Sequence, residues 1–238
     1  IDASTRDVRK LKLPQTRFSL VKTLLRRRLR RRPEPQGRIR WLTPAEAARL
    51  LAAMDARTRL QSEFLLGTGC RTGEAFALDR TDLHIETRQA MVRVSKNGDE
   101  RMTSFPTRTA RALAAYGLPA DGAVFRTPKG KPYTARQAGG GQMQAAFNAA
   151  RDAADLGPDV TPHVLRHTWA TWHYAQNKDL LLLKTLGGWK TTDIALRYAK
   201  LAPANLGDML LSGGWDFRAD TNVTQEDLIK TPNRLISR

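Results

Sequence analysis

The stretch TPHVLRHTWAT brings two imidazoles and a guanidinium together on what reads as a single turn of helix. Thr161 followed by Pro162 is a typical helix start, with a capping hydroxyl and then a proline at the first helical position. Positions three and four apart share one face of a helix, so His163, Arg166 and His167 should point in the same direction. Such a group can bind an anion and move protons. By itself the motif also fits a solvated polar face, or histidines held by hydrogen bonds in the core.

Three further stretches hold side chains that could act on the same anion. In GCRTGEAFAL, Arg71 follows a glycine-rich turn and Glu74 comes three residues later, although an ordinary surface ion pair has the same spacing. In VSKNGDE, Lys96 stands beside an Asn-Gly pair, the strongest short signal for a β-hairpin, where a lone lysine is normally just solvated. In GGWKTTDIALRYAK, Tyr198 lies nine positions after Trp189. The basic residues beside that tyrosine would let its phenol approach a phosphate, although a tyrosine there could also simply pack.

The elements that would position these side chains are mostly helices. The segment WLTPAEAARLLAAM opens with a capping box and carries an apolar stripe, which predicts one helix. The segment RLQSEFLLGTG predicts a second helix, which ends at Gly67 and Gly69. Between residues 82 and 106 the pattern alternates and turns at the Asn-Gly pair, which predicts a small antiparallel sheet. Helical patterns return in alanine-rich stretches at 109–115 and 142–154.

The charge of the chain points to a polyanionic partner. Its 40 lysines and arginines against 23 acidic residues give a net charge of +17, an excess that is typical of nucleic-acid-binding proteins. An acidic protein or an anionic membrane surface would also fit. A membrane-surface protein would more often concentrate its charge on one amphipathic helix, whereas here the basic residues run along the whole chain. The sequence has no apolar run of about 18 residues that would predict a membrane span, and its single cysteine, Cys70, excludes an internal disulfide and fits the cytosol.

Three segments are predicted along the chain. The basic run LLRRRLRRRPEPQGRIR ends in proline and glycine breakers, which predicts a domain boundary near residue 38. We therefore expect the tail of a preceding domain plus a basic linker over 1–38, the main domain over 39–211, and a C-terminal tail over 212–238 that the Gly213-Gly214 pair would free to swing. The start, IDASTRDVRK, lacks an initiator methionine and an apolar signal region, which suggests that the chain begins inside a longer protein.

Two common devices for handling phosphates are missing from the sequence. It contains no G-x-x-x-x-G-K-[ST] loop to cradle nucleotide phosphates, so ATP is not implied. No carboxylate cluster stands out to bind Mg²⁺, as one does in nucleases of the two-metal kind. We therefore expect no cofactor and no metal.

The ordered set GCRTGEAFAL, VSKNGDE, TPHVLRHTWAT and LGGWKTTDIALRYAKLAP resembles the catalytic domain of tyrosine recombinases of the phage integrase family. The resemblance runs from about Trp41 to about Leu211. It implies the fold of that catalytic domain, which is mainly α with a small antiparallel sheet, and residues 1 to about 38 would be the end of the helical core-binding domain that usually precedes it. By position, the catalytic residues of the family fall on Arg71, Lys96, His163, Arg166, Trp189 and Tyr198, with Glu74 and His167 as supporting residues.

The resemblance also implies a mechanism. Tyr198 would attack the scissile phosphate of double-stranded DNA, form a 3′-phosphotyrosyl bond and release a 5′-hydroxyl. A 5′-hydroxyl from a partner duplex would then attack that bond, and two such rounds would exchange strands through a Holliday junction within a homotetramer on two attachment or core sites. The chemistry requires charge stabilisation, which Arg71 and Arg166 can supply as paired hydrogen bonds to the non-bridging oxygens. Lys96 would protonate the leaving oxygen.

The remaining site residues would have less direct roles or more than one. His163 would be either the base for the tyrosine or a phosphate ligand, and the sequence leaves both open. Trp189 can donate one indole hydrogen bond and cannot titrate, so it would orient its neighbours. Glu74 would orient either Arg71 or His167.

Two other functions stay open at this point. A relaxing enzyme of the type IB topoisomerase kind would share the mechanism but need no partner duplex. A catalytically silent DNA-binding regulator could also be built on this fold, although the complete set of catalytic positions argues against silence. The expected setting is the cytoplasm of a bacterium, with the chain bacterial or phage-encoded, accessory DNA-bending proteins as further partners, and a C-terminal tail exchanged between subunits.

Overall fold

The computed structural model describes residues 39–93, 100–133 and 143–218, all within a unit that begins at Ile39. The described parts contain nine α-helices, a short 3₁₀ turn and three strands. In chain order the helices are α1 Pro44–Ala52, α2 Ala56–Thr68, α3 Thr72–Phe76, α4 Thr107–Tyr116, α5 Gln144–Ala153, α6 Pro162–Asn177, α7 Leu180–Gly187, α8 Thr192–Ala199 and α9 Leu206–Ser212. The strands are β1 Leu83–His84, β2 Gln89–Val92 and β3 Arg101–Ser104. The prediction of a mainly helical fold with a small sheet is therefore confirmed.

Helix α1 begins with the capping box that the sequence predicts. The Thr43 hydroxyl accepts a hydrogen bond from the Glu46 main-chain N–H at 3.2 Å, and the Glu46 carboxylate accepts one from the Thr43 N–H at 2.8 Å. Helix α2 ends at Gly69, whose left-handed conformation (φ 66°) suits glycine. Gly67, which was also expected at that end, lies inside the helix.

The long helix α6 forms the centre of the domain. It starts after Thr161 as predicted, but the Thr161 hydroxyl makes no capping hydrogen bond. The indole rings of Trp169 and Trp172 are fully buried on this helix. The Trp172 N–H donates to the Leu42 carbonyl at 3.0 Å, so the chain leading into α1 is tied to α6. Helix α6 packs directly against α2, α7, α8 and α9, so it is in contact with most of the helices around it.

The sheet is antiparallel, with strand order β1-β2-β3, and lies within the predicted span of residues 82–106. Leu83 pairs with Ala90, and Val92 pairs with Arg101. The Thr103 hydroxyl donates to the Thr68 carbonyl at 3.0 Å, which fixes β3 to the end of α2. The predicted Asn-Gly turn and Lys96 fall between β2 and β3, outside the described residues.

The chain beyond α9 stays on the same core as far as it is described. Trp215 and Phe217 are both buried. The Gln176 side chain of α6 holds them, because its amide N–H donates to the Trp215 carbonyl at 2.9 Å and its carbonyl accepts from the Phe217 N–H at 2.6 Å. The described chain therefore stays on the domain as far as Arg218.

None of the described helices has the length together with the hydrophobicity that crossing a lipid bilayer requires.

Candidate active site

Seven of the eight candidate residues lie in the described parts of the chain, and they converge where α6, α7 and α8 meet the start of α3. Lys96, the eighth, lies outside the described residues. Helix α6 contributes three of the seven, as its sequence motif predicts. The two segments that are most distant in sequence, at the start of α3 and at α8, are brought to it by the packing of the helices.

Arg166 is the buried cation at the centre of this cluster. Its residue is only 3% exposed, and its guanidinium donates to the Gly69 carbonyl and to the Gly187 carbonyl, the latter at 2.5 Å. The guanidinium also lies over the Trp189 ring, 4.9 Å from the ring centroid. Burial, with a smaller effect of the Arg71 charge, lowers the pKa of Arg166 to about 10, so it remains charged at neutral pH.

The two carbonyls that accept from Arg166 belong to Gly69 and Gly187, and each of these glycines packs against a tryptophan ring. A Cβ atom on Gly69 would lie 2.1 Å from an atom of the Trp169 ring, and one on Gly187 would lie 2.6 Å from the Trp189 ring. Side chains therefore have no room at these two positions. The two glycines therefore let the backbone pass directly beside these tryptophan rings while its carbonyls accept from Arg166.

Arg71 is oriented by Glu74, as one of the two sequence-based alternatives proposed. Arg71 precedes α3, and its guanidinium donates to the buried Glu74 carboxylate at 2.6 Å, while its main-chain N–H donates to the same group at 2.9 Å. The Arg71 side chain is 27% exposed, so its guanidinium reaches the surface. Among the described residues, the hydrogen bonds found for Glu74 go to Arg71 and Arg101 and not to His167.

Arg101 is a functional candidate that the sequence analysis missed. From β3 it donates to Glu74 at 2.6 Å and to the Leu186 carbonyl at 2.9 Å, with its side chain only 8% exposed. Burial alone would raise the pKa of Glu74, but the hydrogen bond and charge of Arg101, together with Arg71, hold that pKa below its usual range. The alternating pattern placed Arg101 on a strand, but it did not show which carboxylate the strand would face.

The Tyr198 ring is buried, so the packing that the sequence left open for this tyrosine does occur. The residue is 4% exposed, and its ring stacks on Trp189 with 5.3 Å between centroids. Its hydroxyl lies 2.8 Å from Nδ1 of His167. Burial raises the pKa of the Tyr198 hydroxyl, although the nearby charges of Arg166 and Arg197 act in the opposite direction.

The ring in contact with the tyrosine is His167, whereas the sequence analysis considered His163 for the role of base. Burial, followed by the proximity of His163 and Arg166, lowers the pKa of His167 to about 4, so His167 is neutral at pH 7 and can accept the phenolic hydrogen bond. The exposed His163 ring packs edge-on against it at 4.6 Å. Desolvation, then the charges of Arg166 and Arg71, lower the pKa of His163.

Trp189 contacts the cluster through the faces of its ring. It stacks on Tyr198, lies under Arg166 and packs near Trp169 at 6.1 Å between centroids. A role in orienting its neighbours was expected through the indole N–H, and the contacts found use the π-face. Within the described ranges, no set of three or more histidine, cysteine or acidic side chains is arranged to hold a metal ion.

Comparison with known proteins identifies relatives over most of the chain. The integrase of Salmonella phage P22 is 28% identical over 211 residues, covering 80% of this chain and 54% of that protein. The tyrosine recombinase XerC of Methylobacterium sp. (strain 4-46) is 30% identical over 194 residues, covering 74% of this chain and 59% of that protein. The chain thus spans somewhat more than half the length of these relatives.

Solved structures show the same fold. The XerA recombinase aligns with a TM-score of 0.60 at 23% identity, covering 76% of this chain and 66% of that one. The XerH site-specific recombinase bound to palindromic difH substrate aligns with a TM-score of 0.58 at 21% identity, covering 74% of this chain and 54% of that one. Residues 40–205 match the model of the phage integrase family. Since that match spans more than half of the sequence, the chain belongs to the phage integrase family.

Proposed function

We propose that this chain cuts and rejoins double-stranded DNA at specific sites through a 3′-phosphotyrosyl intermediate, without metal or ATP. Its relatives include a phage integrase and a tyrosine recombinase, one solved neighbour is bound to its DNA substrate, and the chain has a net charge of +17. The observation that carries the proposal is the single cluster in which the Tyr198 hydroxyl contacts His167 beside the buried Arg166.

The arginines supply the charge that the reaction needs. An attacked phosphodiester gains negative charge on its non-bridging oxygens, and preorganised donors stabilise that charge best in a site that excludes water. The two carbonyl bonds of Arg166 use two of its five N–H groups, so others can bind a phosphate oxygen. Arg71 would bind from the exposed side. We assign His163 to the phosphate as well, because it lies one helix turn before Arg166 and its ring packs against that of His167.

The tyrosine should be unreactive until DNA binds. The pKa of Tyr198 is raised above its ordinary value of 10.0, while that of its neighbour His167 is lowered to about 4. Proton transfer from the tyrosine to the histidine is therefore unfavourable in the DNA-free state. A bound phosphate anion would favour the protonated form of the histidines and raise their pKa. In the reaction the Tyr198 oxygen would form the bond to phosphorus and pass its proton to His167, while the bond from phosphorus to the 5′-oxygen breaks and that oxygen takes a proton from Lys96.

Covalent capture of DNA tests the proposal. The full chain is incubated with nicked duplexes carrying a randomised central region, in excess EDTA, and protein–DNA adducts that resist SDS are isolated and sequenced. We expect an adduct with the 3′ end of the cut strand at a recurrent sequence, and none from Tyr198→Phe. An adduct that forms equally with Tyr198→Phe, or cleavage that requires added Mg²⁺, would overturn the mechanism. DNA binding without any adduct would indicate a silent regulator.

Duplexes and plasmids that carry the captured sequence distinguish recombination from simple relaxation, because the two reactions give different products. A recombinase forms Holliday junctions from two duplexes and assembles as a homotetramer on them, whereas a relaxing enzyme removes supercoils from a single plasmid. We expect junctions on gels and a tetramer in the mass of the complex, with accessory DNA-bending proteins increasing the yield. Relaxation without junctions would favour the topoisomerase-like alternative. A DNA substrate of this kind would place the chain in the bacterial cytoplasm.

A further inference from the structure

Arg101 connects three parts of the site that are far apart in sequence. It lies on β3, and its guanidinium spans the gap between Glu74 at the start of α3 and the carbonyl of Leu186 at the end of α7. Both Nη atoms donate to the Glu74 carboxylate, at 2.6 and 3.3 Å, and Nε donates to Leu186 at 2.9 Å. Its side chain is 8% exposed, so these bonds are shielded from water.

The turn after α7 is held by two arginines at once. Arg101 binds the carbonyl of Leu186, and Arg166 binds the next carbonyl, that of Gly187. Gly188 follows in the left-handed conformation (φ 63°), and a Cβ atom there would lie 3.0 Å from Cδ of Arg101. The Arg101 side chain therefore packs against the turn that leads to Trp189. The ring of Trp189 stacks in turn on the ring of Tyr198, the proposed nucleophile.

Arg101 also determines the charge that a substrate would meet. Glu74 is a buried carboxylate shared between Arg71 and Arg101. With Arg71 alone, the pair would be neutral, and the carboxylate would hold that guanidinium with its full charge. With Arg101 present, the three groups carry a net positive charge, so Arg71 can donate to an anion while Glu74 stays compensated.

Resting on the proposed function, we propose that Arg101 is a positioning residue for DNA cleavage, which holds the Arg71–Glu74 pair and the turn before Trp189 in one arrangement without touching the phosphate. Loss of Arg101 should slow cleavage by weakening the hold of the arginines, Arg71 and Arg166, on the non-bridging oxygens. This makes its loss distinguishable from general damage to the fold.

The test compares Arg101→Gln and Arg101→Lys with a matched control, Arg108→Gln. Arg108 also donates to a buried glutamate, Glu63, at 3.0 Å and to a main-chain carbonyl, that of Gly213, at 3.1 Å. None of the contacts found for Arg108 involves a residue of the site. Single-turnover cleavage of the captured duplex should slow about 10- to 100-fold in Arg101→Gln, as expected for losing hydrogen bonds to a charged group. Arg101→Lys, whose ammonium lacks the planar set of donors of a guanidinium, should also cleave slowly. Arg108→Gln should cleave at the rate of the wild type.

A neutral substrate separates positioning from structural damage. A methylphosphonate at the scissile position carries one non-bridging charge fewer, so it depends less on the arginine clamp. The defect of Arg101→Gln should shrink on that substrate, as that of Arg71→Ala should. Equal slowing of Arg101→Gln on both substrates would overturn the positioning role of Arg101 and leave the proposed function standing. Cleavage by both Arg101 variants at the rate of Arg108→Gln would have the same meaning. If the wild-type chain captures no DNA, the proposed function is wrong and the role of Arg101 falls with it.

Discussion

At the scale of single residues, the site joins the buried cation of Arg166 to the buried ring of Tyr198, the proposed nucleophile. Arg166 is fixed by its hydrogen bonds to two glycine carbonyls. Tyr198 is fixed by the stacking of its ring on Trp189 and by the contact of its hydroxyl with His167. Neither group has to find its position when the substrate arrives. Burial raises the pKa of the Tyr198 hydroxyl, so in the proposed mechanism its reactivity would depend on the bound phosphate.

Removing the Tyr198 hydroxyl should abolish covalent chemistry at a modest cost in stability. Tyr198→Phe keeps the stacked ring but deprives the half-buried His167 of its partner, which should lower the free energy of unfolding by about 1 kcal/mol. DNA affinity should stay near that of the wild type. Denaturant titration, filter binding and gels in SDS measure the three quantities. An adduct that persists would show that another residue is the nucleophile.

Lys96 is predicted to protonate the leaving oxygen, and sulfur substitution tests that role. Lys96→Ala should slow cleavage by about 10²–10⁴-fold with DNA binding nearly unchanged, because an alkoxide leaves poorly without a proton. A 5′-bridging sulfur leaves as a thiolate, so it should restore most of the rate to Lys96→Ala. It should do little for Arg166→Ala, whose defect concerns the non-bridging oxygens. Rescue of both variants, or of neither, would contradict the assignment.

At the scale of elements, the site depends on how two helices end. Helix α2 ends at Gly69 and α7 at Gly187, with Gly188 as its left-handed cap, so the carbonyls held by Arg166 project from helix ends. The residues after these ends begin the segments that carry Arg71 and Trp189. A displacement of the end of α2 would therefore move Arg71, the proposed phosphate ligand, and a displacement of the end of α7 would move the Trp189 ring.

Gly69→Ala should damage both the fold and the site. Its φ of 66° strains any other L-residue, and its Cβ would overlap the Trp169 ring. Gly117→Ala is the matched control, because Gly117 is also left-handed (φ 73°) but has nothing within 4 Å of the added Cβ. Gly117→Ala should cost about 1 kcal/mol, the strain alone, while Gly69→Ala should cost clearly more and also slow cleavage. Equal unfolding free energies for the two variants would show that the Trp169 contact relaxes without cost.

At the scale of the whole molecule, the core extends from the centre of α6 to the chain after α9. His173 of α6 is 3% exposed and lies between Trp169, at 5.4 Å, and Phe217, at 6.0 Å between ring centroids. Burial lowers the pKa of His173 to about 4. The C-terminal segment is thus packed against a histidine that must stay neutral.

Stability should therefore fall as the solution is acidified through the range between pH 6.5 and 4. The pKa of His173 is depressed on folding, so the unfolded chain binds its proton first, and the stabilisation that is complete above pH 6.5 is lost as the pH falls towards 4. This histidine contributes at most about 3 kcal/mol over that range. Urea unfolding of the wild type and of His173→Phe at several pH values measures it. An equal pH dependence in the two proteins would mean that other groups cause the loss.

The sequence by itself determined the features that depend on neighbours in the chain. The Thr43–Glu46 capping box and the Arg71–Glu74 pair each join residues three apart, and the motif of α6 places its polar residues on one helix. Such contacts form wherever the local helix forms, so spacing and residue type are enough to predict them. The order of the motifs was also enough to suggest the family.

Only the tertiary structure decided which distant groups meet. The bond from Arg166 to the Gly69 carbonyl joins residues 97 apart, that of Arg101 to Glu74 joins residues 27 apart, and that of His167 to Tyr198 joins residues 31 apart. The burial of Tyr198 and the choice of His167 over His163 as its neighbour were decided in the same way. Spacing along the chain cannot predict these contacts, because they depend on how helices and strands pack against one another, and that packing depends on the whole core.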